Sequence, residues 1–192
     1  MSVIVAIKKD GVIYLGTDTR YSDGGNQISL VNLNALKIWK VEGKENCLLG
    51  QVGIQREASA IRACHDLVDS FSPMDFAYIV NQVEPRIKEV LKEHEFIDAN
   101  DPYGTMKSRF LLAYQDKMYV IDRGSVLEYD DFVAIGSSEC EAFGSLVSSR
   151  NEEDPEKRIL AALRVSAMHD VYVGAPFVLI NSKTMEFKVV NE

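Results

Sequence analysis

Ser2 follows Met1 directly, and a small second residue is what methionine aminopeptidases accept, so loss of Met1 would leave one residue carrying both a hydroxyl and a free α-amine. A serine hydroxyl is a poor nucleophile until a base takes its proton, and an α-amine with an unperturbed pKa of about 8 can take it at neutral pH. The terminus of the chain would then do what histidine does in other serine hydrolases. Other chemistry-bearing residues are sparse. His65, His94 and His169 share no spacing that suits a triad or a metal and read as structural or exposed. Cys47, Cys64 and Cys140 form no CxxC pair and have no histidine at ligand spacing, which argues against a disulfide framework or a zinc site and leaves them as small buried residues. No metal and no other cofactor is expected. Taken singly, Asp18 reads as a turn or cap residue, Lys37 as a solvated lysine and Gly53 as a helix entry. Trp39 and the tyrosines read as packing.

The elements that must position these residues follow from composition and pattern. With 192 residues, 46% of them apolar and 26% charged, the chain fits one globular domain over 1–192 with a sizeable core. A net charge of −8 argues against a general nucleic-acid or membrane-surface binder, which needs a basic face. The N-terminus alternates polar and apolar residues at once, unlike a secretory signal, and no apolar run approaches the roughly 20 residues of a spanning helix. A soluble, cytoplasmic protein is expected.

Residues 2–9 (SVIVAIKK) and 12–17 (VIYLGT) read as two strands joined by the hairpin dipeptide Asp10-Gly11. Their continuous apolar character predicts a sheet covered on both faces. A polar stretch, Ser22 to Asn26, leads into an extended segment over 28–41, and 47–52 forms a further strand closing at Gly53. Ala58, Ile61, Cys64, Leu67, Val68 and Phe71 recur at helical spacing. Ser72-Pro73 with Asp75 then predicts the cap of a second helix bearing Phe76, Ile79, Val80, Val83, Ile87, Val90 and Leu91 on one stripe, kinked by Pro85. A turn-rich link over 98–104 precedes strands at 109–114, 118–121 and 132–135. Helices over 139–149 and from Asp154-Pro155-Glu156 to His169 follow, and strands at 177–180 and 185–190 close the chain. Two antiparallel sheets face to face, each covered by a helical pair, satisfy this order.

The blocks of this pattern, in order, resemble the proteasome β-subunits and the HslV-type bacterial protease core. The opening SVIVAIKKDGVIYLGTDTR is similar to the family's first hairpin, and with Ser2 counted as residue one, Asp18 and Arg20 fall at the family spacing without a gap. Leu36-Lys37-Ile38 resembles the strand bearing the family's lysine, after a short insertion near Gly24-Gly25. Gln51-Val52-Gly53, Ala134-Ile135-Gly136-Ser137 and Asp170-Val171-Tyr172-Val173-Gly174 resemble three further family blocks, so the likeness spans nearly the whole chain.

The resemblance implies an α+β fold, the four-layer αββα sandwich of N-terminal nucleophile hydrolases. It implies a threonine-peptidase-like enzyme in which Ser2 is the nucleophile, Lys37 favours its alkoxide, Asp18 orients Lys37, and the Gly53 NH serves an oxyanion. Ser137 and Asp170 would tune the terminal amine, and Tyr21, Ala35 and Gln51 would line the pocket for the residue before the scissile bond. Without a longer propeptide the chain looks more like HslV than like many β-subunits. The same resemblance implies a homo-oligomeric ring, a ring ATPase unfoldase as partner, and peptide or unfolded-protein substrates.

Departures from the family pattern bear on activity more than on fold. Serine replaces the usual threonine, whose methyl group restricts the hydroxyl. Val3 stands for a frequent second threonine, Val173 for a serine of the amine network, and Ser138 and Ile54 for frequent glycines. Two other readings stay open: a non-catalytic scaffold subunit that keeps Met1, and an N-terminal nucleophile amidase acting on a small amide.

Overall fold

The computed structural model describes residues 2–23, 26–98, 100–101 and 105–191. Met1, the expected insertion at Gly24-Gly25 and most of the end of the expected link, 102–104, lie outside the described residues.

The chain opens with the hairpin β1 (Val3–Lys9) and β2 (Val12–Asp18). Asp10 and Gly11 both take positive φ, 50° and 74°, the paired left-handed geometry that suits the twist of a two-residue hairpin. A short hairpin, β3 (Arg20–Asp23) with β4 (Asn26–Ser29), replaces the start of the expected extended segment, and only β5 (Ile38–Lys40) forms a strand in the rest of it. β6 (Cys47–Val52) runs as expected into α1 (Gln55–Arg62).

α1 is shorter than its apolar stripe suggests. Leu67 and Val68 still reach the core, but in irregular chain, and Phe71 is almost fully exposed. The path is held instead by Lys44, whose ammonium donates to the carbonyls of Asp69, Ser70 and Ser72 at 3.2, 3.0 and 2.6 Å. The next N-cap is Asp75 rather than Ser72, its carboxylate accepting the Tyr78 NH at 2.9 Å. α2 (Phe76–Tyr78), a π-helical turn over Ile79–Val83 and α3 (Glu84–Glu93) then follow without a break. Pro85 lacks an NH and would crowd the carbonyl one turn back; the wider turn just before it accommodates the ring. Phe76 and Val80 lie half exposed, off the buried stripe of Ile79, Val83, Ile87, Val90 and Leu91.

β7 (Arg109–Tyr114), β8 (Lys117–Asp122) and β9 (Ser125–Tyr129) form a meander, and β10 (Phe132–Gly136) returns to the first sheet. α4 (Glu139–Ser148) and α5 (Pro155–His169) follow, the second capped by Asp154 onto Glu156 and Lys157. β11 (Phe177–Asn181) and a short β12 (Lys188–Val190) finish the chain. Both large sheets are antiparallel throughout, in the orders β10-β1-β2-β11-β12 and β5-β6-β7-β8-β9.

Alternation along the strands sorts the core into three clusters, because successive side chains point to opposite faces. Ile4, Ala6, Ile13 and Leu15 of the first sheet share one cluster with Leu48, Leu111, Ala113 and Val120 of the second. Val3, Val5 and Ile7 point the other way and pack with Leu146, Ile159 and Leu163 of α4 and α5. Leu49, Phe110, Leu112 and Tyr119 pack with Ile61 of α1 and Ile87 and Leu91 of α3. Each of the buried Val, Leu and Ile side chains among these contributes roughly 1.5–3 kcal/mol. Gly16 of β2 lies directly beneath α5: a Cβ there would come within 2.3 Å of Ile159 and 2.8 Å of Leu179. Cys47 is buried, whereas Cys64, just past α1, is partly exposed and Cys140, in the first turn of α4, is exposed, which corrects the expectation for those two. Among the described residues no helix is long and apolar enough to cross a membrane.

Candidate active site

The end of β2 delivers Asp18 into the interior with no exposure, and the residue before β5 delivers Lys37, 4% exposed, to meet it. Lys37 Nζ donates to Asp18 Oδ2 at 2.7 Å and to the Arg20 carbonyl at 2.7 Å. The Asp18 carboxylate also accepts the Val3 NH at 3.1 Å and the Arg20 NH at 3.0 Å. Burial pushes the Asp18 carboxyl up and the Lys37 ammonium down, each toward its neutral form, while their mutual attraction works against both shifts. Three donors on one carboxylate favour the ionised pair, since an ionised carboxylate only accepts. The solvated reading of Lys37 is thereby excluded.

Lys37 forms part of the wall of a small cleft of ≈ 120 Å³, together with Ser2, Tyr21, Ser22, Gln51, Gly53 and Gln55. Asp18 stands behind Lys37 and does not reach the cleft. Tyr21 lies 5.1 Å below the Lys37 ammonium, and its hydroxyl donates to the Ala35 carbonyl; Ala35 borders the site only through that contact. Burial pushes the Tyr21 phenol up to about 12, although Arg62 pulls it the other way. A larger groove of ≈ 330 Å³, lined by Trp39, Ile61, Arg62 and Leu67, holds none of these groups.

Beside Ser2 and at the end of β6, Gly136 and Gly53 are required by geometry. Gly136 has φ +125°, and a Cβ on it would fall 2.0 Å from the Ser2 carbonyl oxygen. That close approach lets the Ser137 NH hold the Ser2 carbonyl at 2.9 Å, with the Ser137 hydroxyl at 3.4 Å. Gly53 has φ +128°, and a Cβ would strike Ser108, 2.7 Å from its hydroxyl. The Ser108 hydroxyl accepts from Gln51 Nε2 at 2.5 Å and from the Ile54 NH at 3.1 Å, so it ties the turn after β6 to the start of β7.

On the far side of Ser2, Asp170 accepts the hydroxyls of Ser137 at 2.5 Å and Ser138 at 2.8 Å, and the Tyr172 NH at 2.9 Å. Partial burial works to raise this carboxyl, but the three donors prevail and hold it below the ordinary carboxylate value. Arg20 joins this region to β3, donating to the carbonyls of Val171 and Val173.

By structure, the chain is similar to the Thiobacillus denitrificans BPH, with a TM-score of 0.79 and 20% identity over 93% of this chain and 96% of that one. The same BPH has been solved in complex with epoxomicin. Anbu, described as an ancestral beta-subunit, from Yersinia bercovieri matches with a TM-score of 0.73 at 14% identity, over 99% of this chain and 87% of that one. Eukaryotic HslV from Trypanosoma brucei matches with a TM-score of 0.65 at 19% identity, over 93% and 98%. The fold is proteasome-like. No family model matches the chain, and no curated relative does.

Within this proteasome-like fold, Ser2, Tyr21, Lys37, Gln51 and Gly53 meet at one cleft, and Ser137 and Asp170 reach it through the carbonyl of Ser2. Four participants escape a reading of the sequence. Ser22 and Gln55 line the cleft, Ser108 braces Gln51 and Gly53, and Ser138 supplies a second hydroxyl to Asp170. Ser138 carried a signal, as a hydroxyl beside Ser137 where the resemblance leads to glycine. Ser108 carried none, because its partners lie more than fifty residues away.

Proposed function

We propose that the chain is an N-terminal nucleophile peptidase in which Ser2, exposed by removal of Met1, attacks the peptide carbonyl. The observation that carries this reading is the meeting of Ser2, Gly53 and a buried, carboxylate-paired Lys37 on one cleft. The Ser2 amine takes the hydroxyl proton. Lys37 stabilises the developing alkoxide, and Asp18 holds Lys37 in place through the Val3 and Arg20 amides that fix the carboxylate itself. The Gly53 NH receives the oxyanion. The amine returns its proton to the leaving nitrogen, and the resulting ester is hydrolysed by water that the same amine deprotonates.

Ser137 and Asp170 act on the other side: Ser137 fixes the backbone of the nucleophile through its carbonyl, Asp170 holds Ser137, and the two together tune the terminal amine. Tyr21, Ala35 and Gln51 border the pocket for the residue before the scissile bond. The three apolar clusters support the finer architecture, a single domain over 1–192 with helices, two sheets and helices in four successive layers. By its likeness to proteasome-type proteins, the chain assembles in the cytoplasm as a homo-oligomeric ring and takes unfolded chains from a ring ATPase.

Intact-mass measurement and treatment with a β-lactone or with epoxomicin test the reading. The expected results are loss of one methionine, an adduct mapping to Ser2, and no turnover of fluorogenic peptides by Ser2→Ala. Full retention of Met1 would instead establish the scaffold reading, and undiminished turnover by Ser2→Ala would remove the mechanism.

A further inference from the structure

Gln51 sits in the last part of β6, only 3% exposed, yet forms part of the cleft wall. Its Nε2 donates to the Ser108 hydroxyl at 2.5 Å and to the Ile54 carbonyl at 3.2 Å. A carbonyl can only accept, so the second contact fixes which end of the carboxamide is nitrogen. Ser108 is fixed in its turn, because its oxygen also accepts the Ile54 NH. Both amide hydrogens are therefore committed away from any bound molecule.

The other end of the carboxamide differs. No described donor reaches Gln51 Oε1, and this oxygen is not among the side-chain atoms sealed from solvent without a partner. Gln51 thus offers the cleft a single, oriented acceptor. The Tyr21 hydroxyl is spent on the Ala35 carbonyl, and Lys37 contributes a positive charge to the same wall.

We propose that Gln51, oriented by Ser108 and Ile54, selects peptides whose residue before the scissile bond carries a short, neutral, hydrogen-bond-donating side chain, a carboxamide first. An apolar side chain would cover Oε1 without giving it a donor. A carboxylate would set acceptor against acceptor, and an ammonium or guanidinium would bring a second cation to the wall that Lys37 occupies. The size of the cleft, ≈ 120 Å³, favours a short side chain over an indole. This inference rests on the peptidase reading above.

The test is a panel of capped fluorogenic peptides that differ only in the residue before the reporter: Asn, Gln, Leu, Phe, Lys, Arg, Asp and Glu. The expected kcat/KM for Asn and Gln exceeds that for Leu, Lys and Glu by about tenfold or more, since a site built to hydrogen-bond a substrate discriminates against analogues that cannot. Gln51→Glu keeps an acceptor but charges it, and should move the ranking to Lys and Arg. Gln51→Met, close in shape, should move it to Leu. Ser108→Ala releases the carboxamide to turn, and the gap between Gln and Glu substrates should narrow; a purely structural Ser108 would lower all rates alike. Turnover with an apolar-first or flat ranking, or a ranking unmoved in both Gln51 variants, overturns the selectivity and leaves the peptidase reading standing. No turnover of any panel member together with no adduct on Ser2 overturns both.

Discussion

Among the described residues two lysines are buried, and they spend their protons differently. Lys44, in the loop between β5 and β6, gives its three hydrogen bonds to three backbone carbonyls and pins the chain between α1 and α2. Lys37 gives one to a carboxylate and one to a carbonyl, and among the described residues its remaining N–H has no protein acceptor. An ammonium has three donors. Lys44 is saturated by the fold, whereas Lys37 is held by it and still faces a cleft. Burial alone marks neither as a site; the unspent donor on a charge-paired lysine distinguishes the second.

The comparison breaks most visibly at Lys37. Lys37→Met removes the cleft donor and strands the buried Asp18, and should lower kcat/KM by roughly 10²–10³-fold, the usual cost of losing one donor to developing charge. Thermal unfolding should show a loss of about 3 kcal/mol, as expected when one member of a buried pair is removed. Lys44→Met should act on stability alone. Losing the three carbonyl contacts should cost about 1–3 kcal/mol and speed limited proteolysis between residues 63 and 75, with peptide turnover per folded molecule within about twofold of the parent. Equal loss of turnover in both variants would erase the distinction.

Ser138→Ala should have the smallest effect. Asp170 sits below the ordinary carboxylate value, so its contribution is fully present above about pH 4 and is lost as the pH falls through its folded value. Removing one of its three donors raises that folded value toward the ordinary one. Acid unfolding of Ser138→Ala should then begin at slightly higher pH than for the parent, while melting at pH 7 shifts by about 2 °C or less.

The sequence was legible where local chemistry and tertiary packing agree. Asp10-Gly11 supplied the hairpin, Asp154-Pro155 the start of α5, and the continuous apolar runs supplied strands buried on both faces. It was less legible where exposed strands leave no apolar signature. All four residues of β4 are exposed, and β9 is mostly so. α1 misled for the opposite reason: Leu67 and Val68 continue its stripe and are buried, but Lys44 holds that chain in a non-helical path. At the site, residue types at strand ends could be assembled by resemblance to a family. The Ser108 brace could not, because its spacing follows from the register of β6 against β7, which pairs Val52 with Arg109.

Gly16 carries no functional group, yet α5 rests against its bare backbone through Ile159 and Leu163. The seat of that helix sets the height of everything beyond its C-terminal end, beginning with Asp170, whose carboxylate must meet two serine hydroxyls from the turn between β10 and α4. A single methyl at position 16 would act as a shim under a lever, tilting the far end away from the first residue of the chain while leaving every polar atom of the site chemically intact.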